Sequence, residues 1–153
     1  AGHDDAVERI QPLLAPLCTR VFRCGLVPGA LRMKLAANHY LIGMVTVLAE
    51  TAHAARAAHV DMQTLRQVLD AGPMASIVSR TKLDKLVGRD FSPQAAIRDV
   101  STIAELVLGQ CKGSSQDTPL IRHCASLYRR ALDQGHGDED MAAVVHAFEP
   151  VLS

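Results

Sequence analysis

The sequence has no tryptophan, two tyrosines and three phenylalanines, so aromatic residues make up only 3% of its 153 positions. Strands favour aromatic and β-branched side chains, whereas Ala, Leu, Met and Gln favour helices. This chain draws on the second set, and a large β-sandwich or barrel is excluded. The shortage of aromatics also removes the stacking platforms that single-strand nucleic-acid binders use. Charge of either sign is not in surplus: 16 basic and 16 acidic residues give a formal net charge of zero. No nucleic-acid partner is expected, because phosphate binding calls for a basic surface. No apolar run approaches the roughly 20 residues of a membrane span; the longest covers 41–49, and no membrane partner is expected. Asp4, Asp5, Glu8 and Arg9 interrupt the opening residues, so no secretory signal is expected there.

The four cysteines, Cys18, Cys24, Cys111 and Cys124, form no C-x-x-C pair and are followed by no paired-histidine spacing. Neither a structural zinc site nor a disulfide framework is expected, and no other metal. They read as small buried hydrophobes in a reducing compartment, so the expected location is cytoplasmic. What is present in quantity is apolar material, 48% of the chain, enough for one core at this length.

Apolar positions Val7, Ile10, Leu13, Leu14 and Leu17 give a helical spacing over 4–17, limited by Pro12 and Pro16. Val21-Phe22-Arg23-Cys24 then reads as a short strand stopped by Gly25 and Pro28. From 30 to 58 the pattern is one long helix with a single interior glycine, Gly43. Its middle, 35–49, is apolar on nearly every side except at Asn38, His39 and Thr46. Such a helix must be covered all round, and one small domain cannot do that alone, so a partner domain or subunit is implied. Asp61 is a candidate N-cap for a helix ending at Gly72. Further helices are expected after Pro73, after Ser92-Pro93 and after Thr118-Pro119, with a polar loop at 113–117 and a last helix following Asp138, Glu139 and Asp140.

Motifs that could carry chemistry are few. Gly135-His136-Gly137 lacks a third glycine and follows a helix, so it reads as a loop and not a dinucleotide turn. His123-Cys124 has no acid placed to complete a triad. His136, Asp138 and Asp140 could together ligate a metal, but polar capping of the last helix explains them better. Lys34, with Asn38 four residues on and on the same helix face, is the pair that stands out. A lysine buried at the head of an apolar helix has its pKa lowered unless it is paired, and can then exchange protons near neutral pH. The alternative is a lysine whose head reaches solvent from a helix end.

The order of these segments resembles the β-hydroxyacid dehydrogenase family, the 3-hydroxyisobutyrate dehydrogenase-like NAD(P)-dependent oxidoreductases. The most specific element is Lys34-Leu35-Ala36-Ala37-Asn38, which resembles the family's K-L-x-N-N motif. Ala49-Glu50, Phe91-Ser92-Pro93, Thr118-Pro119-Leu120 and Gly135-His136-Gly137-Asp138 with Asp140 match later landmarks in order. The resemblance implies an all-α fold, a helical bundle built on one long N-proximal helix, with a short helix-strand stub at the N-terminus. It implies two parts: 1–28, the end of a Rossmann domain, and 29–153, a helical substrate and dimerisation domain. It makes Lys34 the catalytic lysine and Asn38 a substrate-binding residue. The implied cofactor is NAD or NADP, bound mainly by an N-terminal domain outside this sequence. The implied partners are a small hydroxyacid or semialdehyde substrate and a second copy, as homodimer or higher homo-oligomer.

Several positions depart from the pattern. The family's usual glycines before the lysine are Pro28 and Ala30, and the first of its two asparagines is Ala37. Its later Lys-Asp pair, whose lysine reaches the cofactor, falls on Thr102-Ile103, and Arg98, one helical turn earlier, is the candidate to take that contact. These 153 residues therefore read as a truncation expected to be inactive alone. The alternative reading is a non-catalytic oligomerisation or scaffold module derived from a dehydrogenase.

Overall fold

Helices form where the apolar spacing sets them, and they are the only repeating structure among the described residues, 1–111 and 117–149 of this computed structural model. Apart from Asp117, the expected loop at 113–117 lies outside those residues, as does the side chain of Cys111. The order is α1 (Asp4–Leu14), α2 (Gly29–Ala57), α3 (Met62–Ala71), α4 (Ile77–Gly88), α5 (Ile97–Cys111) and α6 (Pro119–Ala131). A π-type turn, Leu132–His136, and a 3-10 helix, Met141–Phe148, complete it. The chain divides into two compact units, Ala1–Asn38 and His39–Ser153, and the division falls within α2.

In the first unit, Asp4 and Asp5 occupy the first turn of α1, where the helix dipole favours acids. The expected strand at 21–24 is not formed. A strand exists only through ladder bonds to a neighbour, and the nearest backbone bond is made just beyond it, Gly2 N to Gly25 O at 2.9 Å. It is tied to α1 instead by Arg23, which reaches Asp4 at 3.1 Å and Glu8 at 3.3 Å. The apolar stripe of α1 meets no core: none of its residues is buried, and Leu13 and nearby Phe22 stand exposed. Cys18 is also exposed and Cys24 half-buried, so of the cysteines expected to be buried only Cys124 is shown to be.

In the second unit, three helices bury the same pattern. Ile42, Val45, Thr46, Ala49 and Ala52 of α2 are buried, as are Ile97, Val100, Ser101, Ala104 and Val107 of α5 and Ile121, Cys124, Ala125, Tyr128 and Ala131 of α6. Steps of three and four residues keep each set on one face, and each fully buried Ile or Val stabilises the fold by about 1.5–3 kcal/mol. Helices α5 and α6 pack on each other, and α6 also packs on the 3-10 helix, of which only His146 and Phe148 escape full burial. The Tyr128 hydroxyl donates to Met141 O at 3.3 Å, and complete burial pushes its phenol well above the usual range.

Caps set the helix boundaries. Asp61 accepts from Thr64 N at 2.6 Å and opens α3, as its position suggested. Helix α4 begins at Ile77 and not next to Pro73, because Ser76 and Ser79 form a reciprocal capping box. Helix α5 begins at Ile97, several residues after Pro93, because Asp140 ties the intervening segment into a bend at 94–95 and a bridge at Ala96. Ala96 and Asp140 form an antiparallel bridge, with Ile97 N to Glu139 O at 2.9 Å and Met141 N to Ala95 O at 2.7 Å. The Asp140 carboxylate accepts from Gln94 N (2.9 Å), Ala95 N (3.3 Å) and Ala142 N (3.1 Å). Lys82 Nζ reaches both its oxygens, at 2.9 and 2.8 Å. Burial pushes this carboxyl up, but Lys82 and the amides outweigh it and hold it below the ordinary aspartate range.

Candidate functional site

Lys34 and Asn38 lie one turn apart on α2, so their side chains leave the same face of the helix. Lys34 is exposed and Asn38 half-buried. The buried position is therefore not found; the lysine projects from near the helix start, as the alternative reading has it. An exposed amine and a primary amide at this spacing offer a proton-carrying nitrogen and a two-way hydrogen-bonding group to a bound hydroxyl or carboxylate.

Arg98 belongs to the second unit, whereas Lys34 and Asn38 belong to the first. Arg98 stands in the first turn of α5, 56% exposed, with Nη2 2.5 Å from Asp138 Oδ1 and Nε 3.4 Å from Gly137 O. Thr102 is exposed, and its hydroxyl donates back to Arg98 O at 3.0 Å, which leaves that oxygen engaged with its own helix. Ile103 is half-buried. The guanidinium of Arg98 is thus the exposed cation of this turn, held by a carboxylate that an anionic ligand would have to displace.

An apolar cavity of about 330 Å³ lies in the second unit among α2, α3 and α4, with Tyr40, Met44, Val47, Leu69, Met74 and Leu83 on its walls. An Arg80–Asp70 pair at 2.7 Å stands at its edge. Tyr40 and Val47 are 74% and 61% exposed, on the side of α2 opposite its buried stripe. The all-round apolar character of this helix is therefore matched by core on one side only.

The capping reading of Asp140 holds, since it accepts from Ala142 N at 3.1 Å at the start of the 3-10 helix, and His136, Asp138 and Asp140 are not brought together as a metal set. Asp138 turns to Arg98, and Asp140 is buried against Lys82. Both glycines of Gly135-His136-Gly137 have backbone reasons, in keeping with a loop. Gly135 has φ +95°, and a Cβ on Gly137 would come within 2.8 Å of Leu132 Cδ1. His136 meets two residues that the sequence did not single out, Glu139 and His146. The His136 and His146 rings stack with centroids 4.1 Å apart and planes at 13°. Glu139 Oε2 lies 3.2 Å from His136 Nδ1 and 3.7 Å from His146 Nε2. The His136-x-x-Glu139 spacing was a local signal; the approach of His146 comes from the 3-10 helix folding back. His146 Nδ1 faces Glu149 Oε2 at 2.9 Å. The Arg89 guanidinium, with help from His146, overcomes partial burial and holds the Glu149 carboxyl at about 2.

Residues 30–148 match the family model described as the NAD-binding domain of NADP-dependent 3-hydroxyisobutyrate dehydrogenase. L-threonate dehydrogenase of Escherichia coli (strain K12) is 26% identical over 153 residues, covering 99% of this chain and 50% of that protein. Cytokine-like nuclear factor N-PAC of Xenopus tropicalis is 27% identical over 148 residues, covering 97% of this chain and 28% of that protein. The chain thus spans half or less of the length of these relatives. The solved structure of 3-hydroxyisobutyrate dehydrogenase (ygbJ) from Salmonella typhimurium superposes with a TM-score of 0.88 at 23% identity, over 95% of this chain and 51% of that one. That likeness establishes the all-helical fold.

Proposed function

The chain belongs to the NADP-dependent 3-hydroxyisobutyrate dehydrogenase-like family of β-hydroxyacid dehydrogenases, and from that premise we propose that it is the C-terminal substrate and dimerisation domain of an NAD(P)-dependent oxidoreductase. The observation that carries this reading is the Lys34–Asn38 pair, an amine and an amide on one helix face within the residues that match the family. The substrate is a small β-hydroxyacid or semialdehyde. A nicotinamide cofactor supplies the hydride chemistry when bound. Lys34 takes the hydroxyl proton on oxidation and returns one to the carbonyl oxygen on reduction. Asn38 fixes the substrate's oxygen by hydrogen bonds. Arg98 offers its exposed guanidinium to an anionic group of the cofactor in place of the lysine missing at Thr102, exchanging Asp138 for it.

The bulk of the cofactor is held by an N-terminal domain, and the 153 residues alone are expected to be inactive. The unburied apolar stripe of α1 supports cover by such a domain. A homodimer formed through the exposed side of α2 would cover Tyr40 and Val47. No helix among the described residues is long and apolar enough to cross a membrane. The free thiols of Cys18, Cys24 and Cys124 fit a reducing, cytoplasmic setting.

The test is turnover of a panel of hydroxyacids, L-threonate and 3-hydroxyisobutyrate included, by the protein that joins this chain to its cofactor domain. Lys34→Ala should lower kcat by about 10²–10⁴-fold, the usual worth of a positioned acid/base, with an unchanged circular dichroism spectrum because Lys34 is exposed. Wild-type turnover in that variant removes Lys34 from the reaction. A second reading, a non-catalytic oligomerisation module, is favoured by Thr102-Ile103 and by the relative named as a nuclear factor. It predicts a stable oligomer with no turnover of any panel member.

A further inference from the structure

Glu139 presents a carboxylate oxygen that is shut off from solvent and receives no hydrogen bond, although two imidazole nitrogens lie beside it. A buried anionic oxygen without a donor is costly, and a cation is the natural partner. We propose that His136, Glu139 and His146 form a binding site for a divalent metal ion of the zinc class, separate from Lys34 and Asn38 and independent of the reading given to them.

Three observations carry it. One ligand atom from each residue, His136 Nδ1, Glu139 Oε2 and His146 Nε2, lies within 4.8 Å of the others. Zinc–ligand bonds of about 2.0–2.2 Å in tetrahedral array place ligand atoms roughly 3.4 Å apart. The two edges at Glu139, 3.2 and 3.7 Å, bracket that value. The histidine–histidine edge lies within 4.8 Å, and because the two rings stack with planes at 13°, a shared ion requires the His136 ring to turn about its terminal torsion, which is broad for imidazole, while Glu149 holds His146 in place.

The second observation is the support behind His146. Glu149, itself held by Arg89 at 2.8 Å, faces His146 Nδ1 at 2.9 Å. A carboxylate on one ring nitrogen keeps the proton there and leaves the lone pair on the other, here Nε2, which faces Glu139. This carboxylate–histidine relay is the arrangement that orients an imidazole toward a metal.

The third is the donor set. Two imidazoles and one carboxylate suit zinc and its neighbours better than calcium or magnesium, which prefer all-oxygen shells. Although Glu139 Oε2 is shut off, the His136 and Glu139 side chains are 26% and 40% exposed overall, so solvent lies near enough for a water to complete the fourth position once an ion draws the ligands together. A bound ion would pin the turn at Leu132–His136 to the 3-10 helix Met141–Phe148, next to the buried Lys82–Asp140 pair.

The experiment uses untagged protein stripped with a chelator and titrated with zinc chloride by calorimetry at neutral pH. The expected result is one equivalent bound per chain with micromolar affinity or better. His136→Asn, Glu139→Gln and His146→Asn should each weaken binding by at least about tenfold, and Glu149→Gln, a positioning change, by about tenfold. Saturating zinc should raise the melting temperature of the wild type by about 5 °C and leave that of Glu139→Gln nearly unmoved. Absence of a stoichiometric binding event overturns the proposal. So does undiminished affinity in Glu139→Gln, the most exposed of the three positions and the variant safest for folding.

Discussion

Replacing Lys82 with methionine tests the central long-range contact of the second unit. Lys82 is 7% exposed and Asp140 fully buried, and the ammonium reaches both carboxylate oxygens and Gln94 Oε1 at 3.1 Å. The Asp140 carboxyl is held below its ordinary range, so it carries its charge at neutral pH. Lys82→Met leaves that charge in place with only the amides of Gln94, Ala95 and Ala142 to satisfy it. Removing one partner of a buried ion pair costs about 3–5 kcal/mol. The three retained amide bonds put this case at the lower end, about 3 kcal/mol. For a chain of this size each kcal/mol moves the melting temperature by about 2–4 °C, so a fall of about 6–12 °C is expected. Urea and thermal unfolding followed by far-ultraviolet circular dichroism give both quantities. Adding Asp140→Asn should recover about 1 kcal/mol, because it removes the buried charge while the one asparagine oxygen keeps the bonds from Gln94 and Ala95 N and loses that from Ala142 N. The reasoning fails if Lys82→Met costs under about 1 kcal/mol, or if Asp140→Asn simply adds to the loss.

Four further outcomes follow from the same structure. Arg98→Ala in the cofactor-bearing protein should raise KM for NAD(P) with little change in kcat; an unchanged KM detaches Arg98 from the cofactor. Val47→Glu should convert an oligomer to monomer in sedimentation without unfolding the chain, since Val47 is exposed; an oligomer that persists places the interface elsewhere. Gly135→Ala should destabilise by about 1 kcal/mol because φ +95° suits only glycine, and an unchanged urea midpoint would mean that the turn relaxes freely. The side-chain and backbone bonds from Thr64 hold the Asp61 carboxyl below its usual 3.8. The cap's contribution is therefore present above the unfolded-state value and is lost as pH falls through the folded one. Protection factors of the amides at the start of α3, corrected for intrinsic exchange, should fall below about pH 4 in the wild type, and Asp61→Asn, which keeps the cap, should remove that dependence.

Much of this protein was settled by residues close together in the chain. Apolar steps of three and four residues over 97–107 and 121–131, and over α2, fixed which elements are helical and which faces turn inward. Asp61 and the Lys34–Asn38 spacing were legible for the same reason: a cap and an i,i+4 pair are local geometry. Where partners distant in sequence decide, local pattern misleads. The run at 21–24 has strand composition but no neighbouring strand to bond with. Ser92-Pro93 looks like a helix start, but Asp140, more than forty residues on, ties the following segment into a bend and a bridge. Asp138 and Asp140 share a sequence cluster with His136, yet one is taken by Arg98 and the other by Lys82, 58 residues away. His146 arrives beside Glu139 only because the 3-10 helix folds back on the turn before it. The sequence by itself determined an all-helical chain of this family with its lysine–asparagine face. Only the tertiary structure decided which charges are buried together and which histidines meet, because burial removes water as a competing partner and makes each pairing depend on what the fold brings near.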